Sequence, residues 1–135
     1  MTDPCGALIY TMVLASASDG AMTDNEIKTL GEMVSFLPVF RDFDRSRLPA
    51  LTEETIALLE EEDGLDRALD IIDRALPEHL RETAYAIACD VVASDATASQ
   101  EELRLLEMLR YSLDVDRLSA AAIERGARAR HMTLE

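Results

Sequence analysis

Apolar residues recur along the chain at helical spacing, and the elements follow from where that spacing starts and stops. Ile27, Leu30, Val34 and Leu37 keep to the i, i+3, i+7 pattern, as do Leu103, Leu106 and Leu109 with Arg110 on the outer side, so each run predicts an amphipathic helix. Gly6 to Ser18 is apolar on nearly every face, which predicts a central helix surrounded by others. Its counterpart is Pro77 to Ser94, with Pro77 in the first turn and Leu80, Ala84, Ile87 and Val91 forming the stripe. Shorter helices are predicted over Thr52 to Glu62, capped by Thr52, and over Leu65 to Leu76, with Asp63-Gly64 as the turn between them. A last helix starts after Asp116 and runs to about Ala129, while Pro38 to Pro49 reads as a turn or short helix pinned by Phe40 and Phe43. No stretch reads as a linker, so residues 1–135 are expected to form one all-α domain.

Composition sharpens this picture. The chain is 48% hydrophobic and 30% charged with few Gly and Pro, which sets it apart from disordered and collagen-like sequences. Aromatics are only 4% and Trp is absent, so Ala, Leu, Ile, Val and Met must build the core, which suits helices better than strands. Met12, Met22, Met33 and Met108 at helical positions read as core filler. No apolar run reaches the roughly 18–20 residues of a membrane span, and Ala7 to Ala17 has no positive segment before it, so a cytoplasmic protein without membrane insertion is expected. Cys5 and Cys89 have no CxxC spacing, which argues against a disulfide framework or a thiolate metal site.

Charge narrows the partners. A formal net charge of −14 repels nucleic acid and anionic headgroups, and attracts divalent cations or a basic protein surface. The run Glu60-Glu61-Glu62-Asp63 reads most simply as a solvated helix end.

The most informative feature is an internal repeat. Shifting residues 14–34 by 76 positions lays Ala17-Ser18-Asp19 over Ala93-Ser94-Asp95, Thr23 over Ser99, Glu26 over Glu102, and Ile27 and Leu30 over Leu103 and Leu106. Each copy reads as helix, short loop, helix, and two copies suggest a pseudo-twofold bundle. Thr23-Asp-Asn-Glu26 and Ser99-Gln-Glu-Glu102 have the form of capping boxes, so these acids have a purely local reading as caps and loop organisers. The functional reading adds Asp90, which interrupts the run Ala86-Ile-Ala-Cys-Asp-Val-Val and has no acidic counterpart in the first copy, where Leu14 holds its place. If the copies pack about a twofold axis, Asp19, Glu26, Asp90, Asp95 and Glu102 could share one end of the bundle. Carboxylates about 4 Å apart repel by roughly 4 kcal/mol at an effective dielectric near 20, so a cluster must protonate, spread apart or hold a cation. Hard oxygen ligands suit Ca²⁺, Mg²⁺ or Mn²⁺, and Zn²⁺ less without a nearby Cys or His. The Asp19 segment fails as an EF-hand loop, since Gly20 stands second rather than sixth.

These residues, Ala15-Ser-Ala-Ser-Asp-Gly20 with Thr23 and Glu26, and Ala93-Ser-Asp95 with Ser99, Glu101 and Glu102, resemble the TerB-like tellurite-resistance domain, which the N-terminal region of a membrane-anchored J-domain co-chaperone also resembles. The resemblance spans about residues 6–130. It implies about seven helices in pseudo-twofold halves and an acidic patch suspected of divalent-metal binding, onto which Asp19, Glu26, Asp90, Asp95 and Glu102 map. It also implies a role in stress or tellurite response through protein partners in a membrane-associated complex, without catalysis. Ala96 departs from the Gly that the second motif prefers.

Catalytic raw material is thin. His79 in a first helical turn and His131 in the tail are expected to be exposed, Cys89 reads as a small buried hydrophobe, and there is no GxGxxG, P-loop or HExxH. A non-catalytic cytoplasmic binding module is therefore expected, whose acidic cluster holds a divalent cation or docks a basic partner. Metal-assisted hydrolysis by the same carboxylates is the enzymatic alternative.

Overall fold

The computed structural model describes residues 2–17, 22–94 and 98–135, and these form seven α-helices with three short 3₁₀ turns and no strand. The helices are α1 (Pro4–Ser16), α2 (Asp24–Phe36), α3 (Leu48–Leu59), α4 (Gly64–Ala75), α5 (Arg81–Ala93), α6 (Gln100–Ser112) and α7 (Arg117–Arg130). The all-α class and the helix number match the expectation. No helix among the described residues is long and apolar enough to cross a membrane.

Helix α1 is the axis of the packing, as its all-round apolar sequence predicts: every residue from Gly6 to Ser16 is buried. It touches α3, α4, α5 and α6, while α5, the second central helix, also packs on α6 and α7. Thr11 tolerates this burial because its Oγ1 donates to the Ala7 carbonyl at 2.8 Å. The start of α1 is fixed by Asp3, whose Oδ1 accepts from the Gly6 N–H at 2.8 Å, with Pro4 in the first turn where no N–H is needed. The Arg47 guanidinium, 3.2 Å from the same carboxylate, and the Gly6 N–H hold Asp3 below the ordinary carboxylate pKa.

Three expectations are corrected. The third helix begins at Leu48 rather than after Thr52, because Pro49 suits a first turn and Thr52 bonds back to the Leu48 carbonyl from inside the helix. Pro77 precedes a 3₁₀ turn over Glu78–Leu80, and α5 starts only at Arg81. Ile27 and Leu103, the first members of their stripes, are 51% and 49% exposed, while Leu30 and Val34, and Leu105, Leu106 and Leu109, carry the packing. Both sit in the turn that follows a cap, at the outer end of the helix.

Between Pro38 and Pro49 two 3₁₀ turns hold Phe40 and Phe43 in the core, edge to face with ring centres 5.8 Å apart, which matches the expected aromatic anchoring. The α3–α4 corner is set by Asp63, at φ 61°, and by Gly64, where a Cβ would lie 2.1 Å from the Leu58 carbonyl oxygen.

Candidate functional site

The two elbows of the repeat are built on the predicted caps. Thr23 Oγ1 accepts from the Glu26 N–H at 3.2 Å and Glu26 Oε1 accepts from the Thr23 N–H at 2.8 Å; Ser99 and Glu102 do the same at 3.1 and 2.8 Å. One oxygen of each glutamate is thus committed to the backbone. Glu102 is 7% exposed, whereas Glu26 is only half-buried. Asp19 and Asp95 lie outside the described residues.

Asp90 faces neither elbow glutamate among its hydrogen-bond and ion-pair partners. Its Oδ1 accepts from Arg130 Nη2 at 2.6 Å and lies 3.5 Å from His131 Nε2, so it joins α5 to the end of α7. This is the physical answer to a carboxylate inside an apolar run: it meets the Arg130 guanidinium, brought from 40 residues along the chain. Among the described residues no three His, Cys, Asp or Glu side chains form a metal-sized group. His79 is exposed, and Cys89 is buried as expected.

Sequence reasoning missed a paired feature of the two central helices. Tyr10 of α1 donates to Glu54 of α3 at 2.7 Å, and Tyr85 of α5 donates to Glu124 of α7 at 2.5 Å. Both rings are buried. Burial and the adjacent carboxylate push the Tyr10 hydroxyl up to about 12 and Tyr85 higher still. Tyr85 lines a cleft of about 630 Å³ between α5, α6 and α7, together with Cys89, whose thiol burial and Glu124 push up to about 12. A thiol so disfavoured as thiolate is a poor nucleophile at neutral pH.

Charge is distributed unevenly. From Leu48 to Ala75, across α3 and α4, stand nine acidic side chains against Arg67 and Arg74, which accounts for half of the net charge of −14. Glu60, Glu61, Glu62 and Asp63 are all exposed at the corner, and Arg67 pairs with Glu61 at 2.6 Å. Helix α7 is the opposite, with Arg117, Arg125, Arg128 and Arg130 against Glu124.

Comparison of the chain with protein-family models, with curated proteins and with solved structures gives no match.

Proposed function

We propose that the chain is a non-catalytic binding module that docks a basic protein surface on its α3–α4 face. The observation that supports this reading is the concentration of half the net charge on one helical hairpin whose corner acids are exposed. Such a field steers a cationic partner and opposes nucleic acid or an anionic membrane. The stress and tellurite setting, in a complex near the membrane, is carried by the resemblance of the elbows to the TerB-like domain.

The test replaces Glu53, Glu60, Glu62 and Asp66 by Lys and, in a second variant, Glu32, Glu78, Glu82 and Glu107, then measures binding of a flexible Lys-Gly peptide by fluorescence anisotropy. Loss of at least tenfold in affinity for the first variant, with less than threefold for the second, supports the face. Equal losses would reduce the effect to net charge and end the proposal.

A divalent cation at Asp19, Glu26, Asp90, Asp95 and Glu102 is the second reading, favoured by the burial of the Glu102 carboxylate at its elbow. Binding would have to release Asp90 from Arg130 or leave it out. A cation at 100 times its dissociation constant stabilises the fold by about 2.7 kcal/mol. If Ca²⁺, Mg²⁺, Mn²⁺ and Zn²⁺ all leave Tm unmoved, this reading is withdrawn. Phosphatase or esterase turnover with Mn²⁺ that Glu102→Gln abolishes would overturn the non-catalytic reading.

A further inference from the structure

Next to the acidic corner the described residues leave a groove in the core. Leu14 and Leu105 are buried at the base of a groove of about 760 Å³, and its walls are Ile56 and Leu59 of α3, Leu65 of α4 and Met108 of α6, all only partly covered. At its edges stand Glu60 and Glu101, with Arg104 as the one basic group among its lining residues. Glu62 and Asp63, both exposed, follow directly where α3 ends.

We infer that this groove receives an amphipathic helix of a partner protein, with its apolar ridge on Leu59, Leu65 and Met108 and its Lys or Arg flanks on Glu60, Glu62 and Glu101. This rests on the proposed docking of a basic partner and adds what that partner must look like. A groove walled by helices takes a helix through residues spaced i, i+3, i+4 and i+7. The apolar floor supplies affinity through buried area, and the acidic rim selects against uncharged or anionic occupants. Arg104 accommodates a single acid on the partner. A fatty acid or anionic lipid would bring its headgroup to a rim of the wrong sign.

The probe is a 15-residue peptide with Leu at the stripe positions and Lys elsewhere, measured by anisotropy against the full chain beside a scrambled peptide of identical composition. The striped peptide is expected to bind at least tenfold more tightly than the scrambled one. Met108→Glu, at a half-buried position whose folding is checked by circular dichroism, should abolish that difference, and amide shifts in NMR should cluster at Ile56, Leu59, Leu65 and Leu105. Equal, salt-sensitive binding of both peptides would overturn the groove while leaving the acidic docking face standing. No binding of either would bring down both. Shifts centred on Leu103, Leu106 and Met132 would move the site to the other cleft, and self-association reversed by the striped peptide would make a second copy of the chain the occupant; either result overturns the inference.

Discussion

The two elbows share a sequence pattern and a capping geometry, yet they are embedded differently. Helix α6 sends Leu105, Leu106 and Leu109 into the core and meets α1, α4 and α5, and its capping Glu102 is nearly covered. Helix α2 buries only Leu30 and Val34, and its main neighbour is the adjoining 3₁₀ turn at Pro38–Phe40. Phe36 at its end is 83% exposed. A repeated local signal therefore fixes where each helix begins, while tertiary contact decides how much each contributes. Locally equivalent halves need not be energetically equivalent.

The sharpest test of this difference is cavity formation. Leu109→Ala, at a fully buried position, is expected to cost about 2–5 kcal/mol in a urea melt. An equal effect from Val34→Ala in α2 would erase the contrast. Next come the caps. Ser99→Ala and Thr23→Ala should each fall within about 0.5–2 kcal/mol, with Ser99 at the upper end because the Glu102 carboxylate it pairs with is buried. Reversal of that order would show that the first elbow is the better anchored. Tyr85→Phe should cost about 1 kcal/mol by removing the bond to Glu124. Smallest is Arg130→Ala, less than about 1 kcal/mol and vanishing at high salt, since the arginine is largely exposed.

Alkaline titration compares the central helices directly. Tyr10 holds its proton more tightly folded than unfolded, so its contribution is complete below pH 10 and is lost as pH rises to about 12. Urea midpoints should fall across that window, and Tyr10→Phe should flatten the fall. A midpoint that stays level in the parent protein refutes the Tyr10–Glu54 assignment.

What the sequence discloses depends on distance along the chain. The capping boxes are legible because donor and acceptor stand three residues apart, and the central helix is legible because burial on all faces leaves no polar stripe. The Thr52 cap misleads because threonine bonds a preceding carbonyl inside a helix as readily as it caps one, and Pro49 marks the earlier start. Asp90 is conspicuous in the sequence, but its partner at Arg130 is not, and neither are Tyr10–Glu54 and Tyr85–Glu124, which join residues 44 and 39 apart. For the acidic corner, composition shows the charge, and only the packing of α1, α3, α4 and α6 shows the groove beside it.

Gly64 separates two things that sequence alone presents as one. With the Leu58 carbonyl pressed against the space where any other residue would place its first carbon, the bend admits hydrogen and nothing larger. The glutamates around it point outward and carry no such constraint. Substitution can thus retune the sign and strength of this corner freely, while the bend that displays it has a single permitted occupant.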